Sequence, residues 1–262
     1  MIRAFIILAS FFLISCTFEK NTQVPTEEVP TLKNYKDLTA LFEVWRSFEN
    51  PPLFEGAPDY RAETFKKRNA QFIPLRNKLI SIDTLGWPIE HQVDWHVIWA
   101  EMNGYDFNQR VLKPWARDPA FYVTLWLERS DVPGHEGPTH HKILDLWTYH
   151  FPLSKEDRAR IMNELKVIPA INRQAEENLT GNAKDLWITG IKDIRTQSVE
   201  LSNMLNLNGV QNDSELVEMV NEAILSTDQL VEWLEEKAVS KTGPSGIGKE
   251  SYTWYQQNVH LV

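Results

Sequence analysis

From about residue 33 onward, apolar positions recur at steps of three and four, the spacing that gives an α-helix one buried face. Leu38, Leu41, Phe42, Trp45 and Phe48 mark a first helix. Phe65, Phe72, Leu75, Leu79 and Ile82 mark a second, which Pro74 is expected to kink or split. After the loop Gly86-Trp87-Pro88, residues 89–102 read as a third helix with Trp95, Trp99 and Met102 on one side. Residues 110–139 are rich in proline, glycine and aromatics, which predicts irregular structure around one short helix over 120–127. Ser154 followed by Asp157 is an N-cap signature for a helix reaching about Leu179, disturbed at Pro169. A helix over 183–205 carries Trp187, Ile191, Ile194 and Leu201 as its buried stripe. Asn212-Asp213-Ser214 opens another, with a seam of Leu216, Val220, Ala223, Thr227, Leu230 and Leu234. No segment alternates as a strand would, and no fixed sequence period is present. The expected fold is all-α, an irregular multi-helix bundle with a loop-rich, aromatic-rich middle section.

Residues 1–16 do not fit that pattern. MIRAFIILASFFLISC has a basic start at Arg3, an apolar run over 4–14 and a small residue before the cysteine. The run is too short for the ~20 residues of a membrane span, so residues 1–15 read as a signal peptide. Leu13-Ile14-Ser15-Cys16 matches the lipobox of bacterial lipoproteins. A thiol is required there because the sulfur takes a diacylglycerol thioether and the freed amine a further acyl chain, palmitate for example. Several chains give durable anchoring where one is marginal. Cys16 is also the single cysteine, so neither an intrachain disulfide nor a cysteine-based zinc site is expected. Residues 16–32 then form the lipidated cysteine and a polar, proline-containing tether. Thr17 is not the aspartate that retains many lipoproteins in the inner membrane, which favours the outer membrane of a Gram-negative cell. The expected location is the cell envelope, extracytoplasmic, with membrane lipid as the partner of Cys16.

Beyond residue 15 the chain has 26 basic and 36 acidic residues. A surface so acidic, without a basic cluster, repels phosphate backbones and excludes nucleic acid as an expected partner. Gly243-Pro-Ser-Gly-Ile-Gly248-Lys249 has the spacing of a phosphate-binding loop. Glu250 stands where magnesium needs a hydroxyl, and no buried strand precedes it, so the glycines read as a turn between helices and no nucleotide is expected. His135-Glu-Gly-Pro-Thr-His140-His141 holds the ingredients of a zinc helix at the wrong spacing, because two imidazoles on one helical face need a separation of four. Solvated loop histidines are the simpler reading, and a loop metal site on His135, His140 and His141 is the alternative. The aromatics between Trp87 and Trp126 read mainly as core, with residues 115–126 as the exception that could line a groove for peptide or glycan.

Four stretches occur in order: HQVDWHVIWAEM (91–102), KPWARDPAFY (113–122), VIPAINRQAEENL (167–179) and SGIGKESYTWYQ (245–256). Together they resemble the bacterial lipoprotein family known as domain of unknown function 885, across most of residues 35–262. The resemblance implies a helical, lipid-anchored, zinc-metallopeptidase-like protein considerably longer than this chain. The family's His-Glu-x-x-Pro-Gly-His motif lies downstream of the matched part, and nothing in residues 1–262 matches it. Residues 33–262 are accordingly expected to be the N-terminal portion of a longer protein, with no catalytic residue, and zinc is expected only in the longer form. Trp115, Asp118, Tyr122, Gly246, Gly248 and Tyr252, which lie in two of the matched stretches, are the candidate groove residues. The function expected is that of a non-catalytic helical wall of a peptidase-like lipoprotein. The alternative is a stand-alone scaffold lipoprotein that binds peptide or glycan.

Overall fold

The computed structural model describes residues 34–128 and 144–262, all within one compact unit, Thr31–Val262. Cys16, the tether and His135, His140 and His141 lie outside the described residues. The architecture is the expected all-α bundle, joined by irregular segments and by two pairs of two-residue strands.

Helix α1 (Tyr35–Glu49) starts at Asn34, whose side chain accepts from the Asp37 N–H at 3.1 Å while the Asp37 carboxylate accepts from the Asn34 N–H. The two orphan donors of the first turn are thereby satisfied reciprocally. A hairpin of β1 (Leu53–Phe54) and antiparallel β2 (Ala57–Pro58) leads to α2 (Ala62–Ile80). Helix α2 runs through Pro74 as one helix, so that of the expected kink or split the split does not occur. Pro74 and the residue four before it, Ala70, both face solvent, where water can satisfy the carbonyl the ring leaves unpaired. Helix α3 (Ile89–Phe107) packs on α1 and α2, burying Leu38, Leu41, Trp45, Phe72, Leu79 and Met102 as one core cluster.

A π-turn over Asn108–Leu112 precedes the short α4 (Pro114–Arg117) and a 3₁₀ turn over Pro119–Tyr122. The short helix expected around 120–127 is reduced to this 3₁₀ turn and ends at Tyr122. Chain continues as β3 (Leu125–Trp126), parallel to β4 (Leu144–Asp145). The cause is the buried Gln197, whose Oε1 accepts from the N–H groups of Thr124 at 2.6 Å and Leu125 at 3.1 Å. Those donors are then lost to any helical ladder.

Helix α5 (Lys155–Leu165) carries the expected Ser154 cap. The interruption comes at Lys166, before α6 (Val167–Asn178), and places Pro169 in the first turn of α6. A proline ring clashes with the carbonyl four residues back, here at Leu165, so the chain breaks ahead of the ring rather than at it. Helices α7 (Lys184–Met204) and α8 (Ser214–Ala238) pack along each other, and α8 packs against α6. The whole predicted α8 seam is buried, as are Trp187, Ile191, Ile194 and Leu201 on α7. The glycine-rich turn ends in α9 (Gly248–Asn258), which stacks Trp254 on Phe107 of α3 at 5.5 Å.

Candidate functional site

Amide side chains on α6 position the irregular segments. Gln174 Oε1 accepts from the Tyr60 N–H at 2.8 Å, and its Nε2 donates to the Pro58 carbonyl at 3.0 Å. One turn further on, Asn178 donates to the Tyr60 carbonyl at 2.8 Å and to the Tyr122 hydroxyl at 3.1 Å. Tyr122 in turn donates to the Trp115 carbonyl at 2.7 Å. Residues 58–60 and 115–122 are thus tied to one helix face and to each other. Gly190 on α7 completes the fit, since a Cβ there would lie 2.6 Å from the Ala120 nitrogen.

Aromatic stacking joins the two segments. The Trp115 ring lies on Phe65 at 3.8 Å and 18°, Phe65 stacks with Tyr60 at 6.1 Å, and Tyr60 meets Phe121 edge-on at 4.9 Å. Such pairs add about 0.5–1.5 kcal/mol each beyond the area they bury.

Beside this wall, between the end of α1 and the start of α2, lies a cleft of ≈ 650 Å³. Its polar lining includes Asn50, Asp59, Arg61, Thr64, Lys67 and Arg68. Asp59 is 5 % exposed and accepts from Arg61 Nε at 2.9 Å, Arg61 Nη2 at 2.9 Å and Thr64 Oγ1 at 2.7 Å. Burial pushes its carboxyl upward, but these hydrogen bonds outweigh burial and hold it below the usual aspartate value. The Arg61 guanidinium also lies 3.8 Å from the centre of the Phe54 ring. Arg68 closes the opposite side by donating to the carbonyls of Phe48, Glu49 and Asn50, the unpaired acceptors at the end of α1. Lys67 and Gln71 stand exposed at the rim. The Arg61 and Arg68 guanidinium groups and the Thr64 hydroxyl are held by partners within the protein, Arg61 also by Glu63 at 3.2 Å, so that the exposed Lys67 and Gln71 and the surface of Pro51 and Pro52 face the open cleft.

Trp115, Asp118 and Tyr122 do come together. Asp118 caps the 3₁₀ turn by accepting from the Ala120 N–H at 2.9 Å, and burial, with Asp193 nearby, raises its carboxyl above the ordinary value. Tyr122 is wholly buried, so it supports this wall from behind instead of lining a groove. Gly246 and Gly248 are exposed in the turn before α9, next to Ser245, whose carbonyl accepts from Arg117 at 2.9 Å. Tyr252 is exposed on α9. The first three residues are part of the wall, while the second three lie along the Ser245 turn and α9. Sequence reasoning missed Asp59, Arg61, Thr64 and Arg68. Their one signal was an acidic residue just ahead of a periodic apolar run, which reads as a helix start.

No family model, curated protein or solved structure matches the chain. Among the described residues no three histidine, cysteine or carboxylate side chains converge as a metal site. His91 stacks on Tyr35, and His96 Nδ1 contacts the Gln92 carbonyl at 2.8 Å.

Proposed function

We propose that this chain is a lipid-anchored, extracytoplasmic protein resembling the N-terminal helical region of a zinc-peptidase-like lipoprotein, and that it holds extended peptide without catalysing its cleavage. The observation that carries the binding role is the cleft of ≈ 650 Å³ beside Asp59 and Arg61, with Lys67 and Gln71 exposed at its rim. A pocket of that size with a few convergent polar groups suits a chain of several residues. With Arg61 paired to Asp59 and Glu63, Lys67 and Arg68 leave the lining net positive, which favours acidic side chains or a terminal carboxylate over basic peptides.

Two measurements test the two halves of this reading. Cells expressing the chain and fed labelled palmitate should incorporate label, and Cys16→Ser should abolish incorporation and release the protein from the membrane fraction. An unlabelled wild type would end the anchor. Titration of the mature chain with acidic and basic peptide sets should give binding to the acidic set. The double change Lys67→Glu with Gln71→Glu, both at exposed positions, should weaken it at least tenfold, about 1.4 kcal/mol. Equal affinity for both sets, or none for either, would end the peptide-binding role.

A further inference from the structure

The turn between α2 and α3 presents apolar side chains to solvent in a built, not a loose, conformation. The Trp87 N–H donates to the Thr84 carbonyl at 3.1 Å, and Gly86 has φ +81°, the combination of a type II turn with Leu85 at its outer corner. The Asp83 carboxylate accepts from the Leu85 N–H at 2.9 Å and fixes the corner. Leu85 is 89 % exposed, and Ile80 and Ile89 on the two flanking helix ends are 54 % and 77 % exposed. Val93 and Val97 extend Ile89 along α3 at steps of four, so the apolar face continues from the tip up one side of the helix. Single exposed aliphatics are ordinary, but a rigid turn that holds three at one end calls for something to cover them.

The place where the chain enters the domain identifies that cover. Tyr35, the first residue of α1, stacks on His91 at 3.6 Å and meets Trp87 edge-on at 6.1 Å. The segment from Cys16 therefore joins the domain at the apolar tip itself. Eighteen residues from Cys16 to Asn34 span at most about 60 Å, and the bilayer that holds the lipid lies within that reach of the tip. We propose that the tip around Leu85 is a membrane-docking surface that rests in the leaflet holding the Cys16 lipid, with Trp87 and Tyr35 at headgroup depth. Tryptophan and tyrosine favour that depth because one end of each ring is apolar and the other wet. No described helix is long and apolar enough to cross a membrane, so the contact is interfacial. Asp83 and Glu90 flank the tip, which makes a zwitterionic leaflet the matching surface rather than an anionic one.

The proposal rests on the lipoprotein reading, and its test supplies the anchor chemically so that the two can fail separately. The mature chain is coupled through Cys16, its single cysteine, to maleimide-bearing lipid in phosphatidylcholine vesicles, and tryptophan emission is compared with and without lipids brominated near the headgroup. Bromine should quench part of the emission. Trp87→Phe should remove most of that quenching, and so should the double change Leu85→Ser with Ile89→Ser, with far-ultraviolet circular dichroism unchanged in both. Absent quenching in the wild type, or quenching untouched by either variant, overturns the proposal. Self-association through the tip that persists without vesicles overturns it too, in favour of a second copy as the occupant. Palmitate labelling in cells reports on the anchor independently of all these outcomes.

Discussion

Gln174 and Tyr60, 114 residues apart, make the bond that decides where the chain between the hairpin and α2 can lie. The Gln174 amide accepts from the Tyr60 N–H and donates to Pro58, pairing with a buried backbone as a neighbouring strand would. Both backbone groups are away from water, where an unmade hydrogen bond costs about 1–3 kcal/mol. Gln174→Ala should therefore lower stability by about 2–4 kcal/mol in denaturant unfolding. Gln174→Glu keeps the acceptor but loses the donor to Pro58 and buries a charge. It should rescue nothing, and a near-wild-type midpoint for either variant would refute this account.

Tyr122 gives a cleaner single-atom test. Its hydroxyl donates to Trp115 and accepts from Asn178 within a fully buried environment. Tyr122→Phe removes one oxygen, takes the donor from the Trp115 carbonyl and leaves Asn178 with its bond to Tyr60 alone, with an expected loss of about 1–3 kcal/mol. Asn178→Ala in the Tyr122→Phe background should add less than it does alone, because the two changes share a bond. Additive losses in that double-mutant cycle would show that the network is not coupled.

These bonds explain which parts of the fold were legible from the chain. The α1, α7 and α8 stripes follow from apolar spacing alone, since each helix buries residues at steps its own sequence sets. The irregular segments were not legible, because their hydrogen-bond partners lie far away in sequence: Gln197 for Thr124 and Leu125, Gln174 and Asn178 for Tyr60. The start of α7 shows the same limit. Ala183 cannot cap a helix, and the cap is Ser245, whose Oγ accepts from Asp185 and Leu186 some 60 residues away. The cleft was hidden for a further reason. Arg61 and Arg68 look like ordinary solvated charges until the fold brings them against Asp59 and the end of α1.

Two glycines should respond in opposite ways. Gly190 lies against the Pro119 ring and the Ala120 backbone, and an added Cβ would sit 2.6 Å from the Ala120 nitrogen. Gly190→Ala should force the wall off α7 and cost about 1–3 kcal/mol, as overpacking does. Gly246, a candidate groove residue, has nothing within 4 Å of an added Cβ. Gly246→Ala should leave stability unchanged or raise it by up to about 1 kcal/mol through the unfolded chain. Thermal melts of the two variants check both, and equal shifts would contradict the packing described.

Asp59 and Asp118 should pull acid stability in opposite directions. Burial opposes ionisation of Asp59, but Arg61 and Thr64 bring its folded value below the ordinary 3.8. The unfolded chain then binds its proton first as pH falls, so the stabilisation from Asp59 is present above about 3.8 and lost as pH drops through the lower folded value. Asp118 is raised, by burial foremost and then by Asp193, so its ionised form is disfavoured in the fold and the penalty disappears on acidification. Asp59→Asn should flatten the loss of stability below pH 4 and lower stability at pH 7. Asp118→Asn keeps an acceptor for the Ala120 N–H and should raise stability at pH 7, with the gain vanishing in acid. Unfolding midpoints measured from pH 7 down to the acid limit read both slopes. A gain in stability for Asp59→Asn at pH 7 would mean that Arg61 does not hold Asp59 ionised, and a loss for Asp118→Asn there would mean that burial does not oppose ionisation of Asp118.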